Sequence, residues 1–596
     1  MASSKSTGDR SGLTGGKDPK RFAAILRYFR KYRAYLVVGG IATILSNALI
    51  LITPYITKLV FDLLQQGGPT SVLLQYVLLI VALAAGSGLF RFMMRRTIIW
   101  MSRHIEYDLR SDIFAKLLVL SPSFYHRTRT GDIMARMTND LEAVRQMIGP
   151  GVMYISDTFL KLAISFSVMI YHSPELTLMA TIPLIIVPPA VYKIGNLIHH
   201  RSMKVQEKFS DLTAAAQENL AGMRVVKAYG QERHETSFFA KLSRDYIDLN
   251  MSLARLQGVF IPSMRMLAGL SYLIVLLVGG GMIIRGQLQL GDIVAFFGYL
   301  SMIIWPMIAI GWVTSLYQRG TVSLDRINRI LNQSTDVTSE ARFSHRSTVK
   351  GKVEFRALRF AYSGPAVLDG IDLVIEPGQT VGLIGLTGCG KTTLVSLLAR
   401  LYPVRRGELF IDDIDINDWD TATLRRQIGF ATQEPFLFSD TVAENIRFGD
   451  DKASLENVVQ AAETASLAGD IEAFRNGYDT LVGERGITLS GGQKQRTTIA
   501  RAIVTNPAIL VLDDATSSVD TETEHDIWQR IDHVLAGRTS IIISHRVSSI
   551  KDADMIIFLK RGRIAERGTH EQLLAANGHY AALHRSQQLE SELENL

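Results

Sequence analysis

Six long apolar segments occupy the first half of the chain, and no comparable segment follows residue 320. A helix needs about 20 apolar residues to cross the roughly 30 Å hydrocarbon core of a bilayer, and each segment reaches that length. Their approximate bounds are 34–58, 71–94, 148–171, 174–195, 256–284 and 291–316. Because soluble proteins seldom bury so many helices of this length, the pattern predicts six transmembrane helices.

The polar connections between these segments are alternately short and long, and basic residues concentrate in the long ones. Residues 1–33, 95–149 and 196–255 each contain nine Lys and Arg, whereas the short connections contain only Arg285. Basic loops stay on the cytoplasmic side of a membrane. We therefore expect a multi-pass protein of the cell membrane, with both termini and the long loops in the cytoplasm. The net charge of +7 then requires no nucleic-acid partner.

A basic amphipathic helix is predicted at residues 19–33, ahead of the first apolar segment. Its apolar residues recur at helical spacing, as Phe22, Ile25, Leu26 and Phe29. This spacing is typical of a helix that lies on the inner membrane surface, and a plain solvated helix is the alternative. Residues 1–20 are expected to form a polar tail without a cleavable signal peptide.

Each long loop is predicted to be a helical hairpin. Residues 100–120 and 203–220 keep helical periodicity, so the membrane helices are expected to continue into the cytoplasm. The periodicity breaks at residues 121–125 and again near Gly222. We expect a short transverse tip at each break.

A few charged and aromatic residues interrupt the apolar segments. Asp157 and Lys161 are four apart in the third segment, and Arg265 lies in the fifth. Charges inside a membrane usually face one another or a cavity, and both alternatives are open for Asp157 and Lys161. Trp305 and Trp312 are seven apart in the sixth segment and can face a cavity, lipid or a neighbouring helix.

The second half of the chain alternates strand-like and helix-like segments. The predicted strands are 353–360, 380–384, 407–411, 509–512 and 540–544. Such alternation predicts an α/β domain.

A glycine-rich motif follows the predicted strand at 380–384. It reads Gly385-Leu386-Thr387-Gly388-Cys389-Gly390-Lys391-Thr392, and Thr393 begins the next helix. This is the P-loop pattern, whose backbone N–H groups wrap a phosphate, with an ordinary glycine-rich turn as the alternative. Lys391 is expected to reach the β- and γ-phosphates, and Thr392 to bind Mg²⁺. ATP and Mg²⁺ are therefore the predicted cofactors.

The apolar strand at 509–512 ends in two carboxylates, Asp513 and Asp514. Asp513 is expected to bind Mg²⁺. Asp514 stands where a catalytic base or water-orienting residue is needed. A pair of surface aspartates is the alternative, which the buried character of the strand disfavours.

These motifs resemble those of the ATP-binding-cassette (ABC) exporters, and the resemblance covers about residues 20–585. The most specific mark is the family signature, Leu489-Ser490-Gly491-Gly492-Gln493. Other family elements occur in order: the adenine-stacking Tyr362, the Mg²⁺- and water-sensing Gln433, the exporter loop Gly483–Gly486, the dimer-crossing loop Ser517–Asp520 and the switch histidine His545.

The resemblance implies a type IV ABC exporter, in which a membrane α-helical domain with six transmembrane helices is fused to a P-loop α/β nucleotide-binding domain. The implied divisions are a tail and elbow helix at 1–33, a transmembrane domain at 34–320, a linker at 321–350 and a nucleotide-binding domain at 351–596. The hairpin tips correspond to the coupling helices of the family. The chain is expected to pair with a second half-transporter, so that each ATP lies between one P-loop and the opposing Ser490, Gly491, Gly492 and Gln493.

Asp514 departs from the family pattern, which has Glu at this position. Aspartate is one methylene shorter, and a displacement of about 1 Å can cost roughly 100-fold in rate. In related exporters, loss of this Glu often marks one chain of a heterodimer with one weak ATP site. We therefore expect a different partner chain that carries the catalytic Glu. A homodimer with two slow sites is the alternative, and the retained His545 favours it slightly.

The expected function is ATP-driven export, by alternating access across a lipid bilayer, of a small hydrophobic or amphipathic substrate such as a drug, lipid or peptide. Two other functions are open: an importer built on the exporter fold, for a siderophore for example, and a membrane-tethered regulatory ATPase.

Overall fold

The computed structural model describes residues 23–337, 349–483, 486, 488–519 and 521–594. The chain divides into two compact units, one formed by residues 1–118 and 130–333 and the other by residues 119–129 and 334–596. The tip of the first predicted hairpin, at 119–129, therefore groups with the second half of the chain.

Twelve α-helices precede residue 332 in the described part of the chain. They are α1 Ala23–Lys31, α2 Arg33–Gln65, α3 Thr70–Val119, α4 Pro122–Arg127, α5 Thr130–Ala135, α6 Leu141–Gln146, α7 Val152–His172, α8 Pro174–Ala221, α9 Met223–Ala228, α10 Glu232–Ile274, α11 Gly280–Ile284 and α12 Leu290–Leu331. The π-helical turns Arg136–Asp140 and Met147–Gly151 join α5, α6 and α7, and Val275–Gly279 joins α10 to α11.

The prediction of six membrane-spanning helices is confirmed by the length and composition of six continuous helices. They are α2, α3, α5–α7, α8, α10–α11 and α12. Helix α3 has 50 residues, which at about 1.5 Å per residue makes it about 75 Å long. This exceeds the roughly 30 Å of hydrocarbon, so the helix continues well beyond the membrane, as the periodicity predicts. The short helices α4 and α9 lie at the two predicted breaks.

Side-chain caps mark where spanning helices begin at the short connections. The Ser173 hydroxyl accepts a hydrogen bond from the Leu176 N–H at 3.3 Å, at the start of α8. At the start of α12, the Asp292 carboxylate accepts the Gln289 N–H at 2.9 Å. These side chains satisfy N–H groups that the first helical turn leaves unpaired, which is why the chain can reverse within a few residues.

Helix α1 is attached to the extension of α3 by hydrogen bonds. The Tyr28 hydroxyl donates to Asp112 at 2.5 Å, and the Lys31 ammonium donates to Asp108 at 2.6 Å. Ile25 is buried, and Phe22 lies outside the described residues. The predicted helix is therefore present, while its position on a membrane surface stays a prediction.

Helix α12 packs closely against α2 and is the most buried of the spanning helices. A Cβ atom added at Gly298 would lie 2.8 Å from the Cβ of Pro54. The absence of a side chain at Gly298 therefore allows the two helices to approach, as small residues do between membrane helices.

The last spanning helix continues into the segment expected to be a linker. Leu324, Ile327 and Ile330 are buried at helical spacing, so the apolar stripe of α12 persists to Leu331 after the continuous apolar run has ended. The division of the chain into domains stays a prediction.

The second unit contains nine further α-helices and ten strands among its described residues. The helices are α13 Lys391–Leu398, α14 Thr421–Arg426, α15 Val442–Arg447, α16 Leu455–Thr464, α17 Ala468–Ala473, α18 Gly491–Val504, α19 Thr521–Leu535, α20 His570–Ala575 and α21 His579–Glu594. The strands are β1 Val353–Phe360, β2 Leu368–Ile375, β3 Thr380–Ile384, β4 Leu409–Ile411, β5 Ile414–Asp415, β6 Ile428–Ala431, β7 Ile509–Asp513, β8 Thr539–Ile543, β9 Met555–Lys560 and β10 Arg563–Gly568.

The strands form two sheets. The four-stranded sheet is antiparallel, with the order β2-β1-β4-β5. The six-stranded sheet has the order β10-β9-β3-β8-β7-β6, in which β10 alone is antiparallel to its neighbour. Strands β7 and β8 are buried throughout, which explains their continuous apolar sequences, since a parallel strand is covered on both faces. The α/β prediction is confirmed.

Candidate nucleotide-binding site

Four adjacent parallel strands carry the predicted site at their carboxyl ends. In the sheet order β3-β8-β7-β6, the P-loop follows β3, His545 follows β8, Asp513 ends β7, and Gln433 follows β6. Ligands of α/β proteins bind at this edge of the sheet. The groups line one cavity of about 290 Å³, together with Tyr362, Val367, Thr387, Gly388, Cys389, Gly390, Lys391, Thr392, Thr393, Asp514 and Ile543.

The P-loop adopts a backbone path that requires glycine. Gly385, Gly388 and Gly390 have φ angles of 153°, 79° and 106°, a region that side chains rarely allow. A Cβ at Gly390 would also lie 2.8 Å from a methyl carbon of Leu368. Gly390 directly precedes α13, so the loop leads into a helix N-terminus, where N–H groups and the helix dipole favour an anion.

Lys391 lies inside this loop. Its side chain is buried, and its ammonium donates to the Gly385 carbonyl at 2.8 Å. The same ammonium lies 3.9 Å from the Cys389 sulfur, which is itself buried. The loop thus holds a positive charge in the cavity, where a phosphate chain can reach it.

Thr392 and Asp513 form the part of the site that fits a divalent cation. The Thr392 hydroxyl donates to the Asp513 carboxylate at 3.2 Å, and Asp513 is only 1% exposed. Burial raises the pKa of Asp513 to about 6, and the negative charge of Asp514 acts in the same direction, against the hydrogen bond from Thr392. A buried carboxylate beside a hydroxyl and the amide of Gln433 is an oxygen-rich set of the kind that Mg²⁺ prefers.

The backbone of Asp514 is held firmly at the end of β7. Its N–H donates to the Ile543 carbonyl of the adjacent strand at 2.9 Å, and its φ is 49°, a left-handed conformation that aspartate tolerates better than most residues. The side chain therefore enters the cavity from a fixed starting point.

Tyr362 lies at one wall of the cavity and is 48% exposed. Its hydroxyl and the Thr393 hydroxyl form a hydrogen bond at 3.0 Å. Its ring meets those of Phe360 and Tyr402 edge-on, with centroids 4.9 and 5.0 Å away. These contacts orient an accessible aromatic ring next to the P-loop, although its stacking on adenine stays a prediction.

The signature residues lie on a different surface from the P-loop cavity and do not line it. Ser490 precedes α18, where its hydroxyl accepts the Gln493 N–H at 3.2 Å and the Gln493 side chain accepts the Ser490 N–H at 3.0 Å. Gly491 and Gly492 pack beside Ser518. The predicted nucleotide-binding residues therefore form two separate sets within one chain.

One polar residue near the site was not identified from the sequence. Glu524 of α19 is buried and accepts hydrogen bonds from Thr516 at 2.9 Å, Ser549 at 2.7 Å and Arg546 at 2.5 Å. It thereby connects the segment after Asp514 with the segment after His545. Its sequence surroundings, Thr521–Asp526, are strongly polar and indicate an exposed helix start, so no local signal marks it.

Three predicted positions near the site cannot be placed. Glu484 and Arg485 of the exporter loop, and Asp520 of the dimer-crossing loop, lie outside the described residues.

Comparison with known proteins agrees with this geometry. A family profile described as ABC transporter transmembrane region matches residues 36–307, and one described as ABC transporter matches residues 368–517.

Curated relatives align over nearly the whole chain. The probable multidrug resistance ABC transporter ATP-binding/permease protein YheI of Bacillus subtilis (strain 168) is 37% identical, covering 94% of this chain and 97% of the relative. The multidrug resistance-like ATP-binding protein MdlA of Escherichia coli (strain K12) is 35% identical, covering 96% and 98%. An ATP-dependent lipid A-core flippase of Syntrophus aciditrophicus (strain SB) is 32% identical, covering 95% and 94%.

A solved structure of a bacterial Atm1-family ABC exporter with ATP bound has a TM-score of 0.78 to this chain, at 29% identity, covering 93% of this chain and 99% of the other. The chain belongs to the ABC transporter family. It is an exporter of the multidrug and lipid type, a membrane protein whose nucleotide-binding domain hydrolyses ATP to drive translocation.

Replacing Lys391 with Ala should weaken ATP binding at least tenfold and remove nearly all hydrolysis at this P-loop, because the phosphates lose the ammonium held inside the loop. Lys551→Ala, at an exposed lysine of the same unit, is the control and should leave both quantities unchanged. Binding of a fluorescent ATP analogue to the purified protein measures the effect. Equal affinity in the two variants would show that Lys391 does not contact the phosphates.

Replacing Glu524 with Gln should lower kcat for ATP at this chain's own P-loop about tenfold, measured in a complex whose other P-loop is inactivated, while KM changes less than about threefold. The substitution removes the negative charge opposite Arg546 and disturbs the segment that carries His545, since buried networks depend on every partner. The P-loop itself is not altered. Glu571→Gln, at an exposed residue, serves as control in steady-state ATPase assays. A loss confined to ATP affinity would contradict this role for Glu524.

Proposed function

We propose that the chain is one half of a heterodimeric exporter in which Asp514 belongs to a weak ATP site. Its partner is a different half-transporter that supplies a catalytic Glu, and the cargo is a small hydrophobic or amphipathic compound. The observation that carries the proposal is the position of Asp514 in the P-loop cavity on a backbone tied to Ile543.

The need for a second chain follows from the separation of the two binding surfaces. Lys391 and its loop contact the phosphates from one side, whereas Ser490 lies at another surface and begins α18. The N-terminus of α18 can stabilise the γ-phosphate of a nucleotide held by another chain. The short helix α9 has no buried residue, and Val225 within it and Tyr229 directly after it are exposed, as expected of a surface that a partner covers.

The short side chain of Asp514 supports an unequal pair of sites. Because the hydrogen bond from its N–H to Ile543 holds the backbone, the chain cannot move forward to replace the missing methylene. The carboxylate then stops about 1 Å short of the position from which Glu orients water, a displacement that can cost roughly 100-fold in rate. A partner with Glu would hydrolyse ATP at the other site, using this chain's signature.

At each site, different residues have different roles in nucleotide binding and hydrolysis. Lys391 would bind the β- and γ-phosphates, while Thr392, Asp513 and Gln433 would hold Mg²⁺, whose charge would offset the negative charge of those phosphates. His545 orients the γ-phosphate. Tyr362 binds the adenine.

Transport follows from the preference of ATP for the dimer with closed cassettes. A ligand shifts a conformational equilibrium only by binding one state more tightly. ATP between the P-loop of one chain and the signature of the other contacts both chains only in the closed dimer, so it binds that state more tightly. We place the cassette and both termini in the cytoplasm on the basis of the basic loops. Cassette closure would move the hairpin tips and open the membrane domain outward, and hydrolysis would reset it.

A homodimer is the second candidate, because one observation favours it. His545, Gln433 and Lys391 line the same cavity as Asp514, so the site keeps every other group needed for hydrolysis. In a homodimer Asp514 would be the carboxylate available at both sites.

The two candidates differ in their response to a pair of substitutions. In the native complex, Asp514→Ala should reduce ATP turnover less than about twofold, since the weak site contributes little. Ser490→Arg should remove more than about 90% of turnover, because the Arg side chain obstructs the strong site that this signature completes. Ser454→Arg is the matched control, since Ser454 also caps a helix through its hydroxyl. Steady-state ATPase activity of the purified complex is the measurement.

Near-complete losses in both Asp514→Ala and Ser490→Arg would contradict the heterodimer and favour two equal sites. Mass spectrometry of the same preparation identifies the chains present, so that a preparation containing this chain alone cannot be taken for the native pair.

A further inference from the structure

A polar cavity of about 300 Å³ lies within the membrane unit, between three spanning helices. Arg91 and Arg95 of α3, Tyr154, Asp157 and Lys161 of α7, and Trp305 of α12 line it. Arg265 and Trp312, which the sequence also marks, are not among its lining residues. The cavity therefore brings together several, but not all, of the charged and aromatic residues that interrupt the spanning segments.

The charges in this cavity are unbalanced. Asp157 and Lys161 form an ion pair with 2.8 Å between carboxylate oxygen and ammonium nitrogen, which accounts for the one acidic residue of the lining. Within the described part of the chain, Arg91 and Arg95 have no ion pair or side-chain hydrogen bond. They are four residues apart on one helix, where like charges repel. An anion placed between them would relieve that repulsion.

The arginines of the cavity lie at the inner end of the second spanning segment. At about 1.5 Å per residue, Arg91 lies about 32 Å along α3 from Thr70, and Trp305 lies about 22 Å along α12 from Leu290. With these helix ends on the outer side, the cavity spans the inner part of the hydrocarbon and its headgroup boundary. Arg side chains near the end of a spanning helix extend towards the headgroup boundary, where they can contact an anionic group.

An apolar cleft adjoins the polar cavity along the same two helices. Its volume is about 380 Å³, and its lining includes Ile155, Phe159 and Leu162 of α7 with Ile310 and Val313 of α12. Both linings include the same stretch of α7, since Tyr154 and Lys161 of the polar cavity are each followed by a residue of the cleft, Ile155 and Leu162. One ligand can therefore reach both sites, with a charged group in the first and an apolar chain or ring in the second.

We propose that this pair of cavities binds an amphipathic anion as the exported substrate, with Arg91 and Arg95 contacting its phosphate, sulfate or carboxylate group. The inference rests on the proposed export function and names its substrate class. Lys161 is restrained by Asp157, so the two arginines carry the recognition. Removing the Asp157 charge frees Lys161 and makes the cavity more attractive to anions.

Two matched probes test the charge preference directly. Dansyl-labelled dodecyl phosphate and dansyl-labelled dodecyltrimethylammonium share a tail and differ in the sign of the head. Their binding to the purified complex is measured by fluorescence, without ATP, in nanodiscs of uncharged phosphatidylcholine. The double variant Arg91→Gln/Arg95→Gln should bind the phosphate probe at least tenfold more weakly and the ammonium probe no more weakly. Asp157→Asn should bind the phosphate probe more tightly, the opposite direction.

Arg96→Gln is the control, because Arg96 is an exposed neighbour on the same helix that does not line the cavity. It should bind both probes as the unaltered complex does. Equal weakening in Arg96→Gln and in the double variant would overturn the proposal and assign the arginines to general contact with lipid headgroups. Competition by inorganic phosphate alone, at concentrations similar to the probe, would overturn the requirement for an apolar tail.

The outcome for this site and the outcome for export can be distinguished. If the unaltered complex exports other amphiphiles with ATP while the double variant binds the phosphate probe normally, the substrate class is wrong and the export function stands. If the probe responds as expected but no ATP-dependent movement of any amphiphile occurs in inside-out vesicles, the binding site stands and the export function fails. If the double variant does not fold, Asp157→Asn is the test. Tighter binding of the phosphate probe supports the proposal, and unchanged or weaker binding contradicts it.

Discussion

One constraint organises this protein: a P-loop contacts the phosphate chain of ATP from one side only. Lys391 and the helix N-terminus behind Gly390 supply positive charge on that side, and no second Lys or Arg is among the described residues that line the cavity. The signature at Ser490 offers a second helix N-terminus, but on a separate surface. A complete site therefore needs two chains, and the energy of closing it is what can move the membrane helices.

The parallel sheet determines how accurately each half of the site is built. Neighbouring strands place the P-loop, His545, Asp513 and Gln433 at one edge, and hydrogen bonding between β7 and β8 continues to Asp514. The backbone of Asp514 is therefore held in place, which is why the proposal assigns a functional effect to a side chain one methylene shorter than Glu. The hydrogen bonds of Glu524 connect the segment that follows Asp514 with the segment that follows His545.

Structural features that depend only on residues close together in the chain could be predicted from the sequence. The apolar segments predicted six spanning helices, and the P-loop and buried strands predicted the α/β fold and most of the cavity lining. Features that depend on distant contacts could not be predicted. Glu524 meets its partners only after folding, and the grouping of Arg91 and Arg95 with Asp157 requires the packing of α3 against α7. The extension of α12 to Leu331 was missed because its apolar residues become periodic instead of continuous.

The asymmetry of the two sites is the central claim, and trapping of the hydrolysis product tests it most directly. Vanadate holds ADP at a site that has just hydrolysed ATP, because it occupies the place of the γ-phosphate. In the native complex, trapping with 8-azido-ATP followed by photolabelling and peptide mapping should place the label on the partner's P-loop, with about one nucleotide per complex. Equal labelling of both P-loops, including the segment around Lys391, would contradict the account.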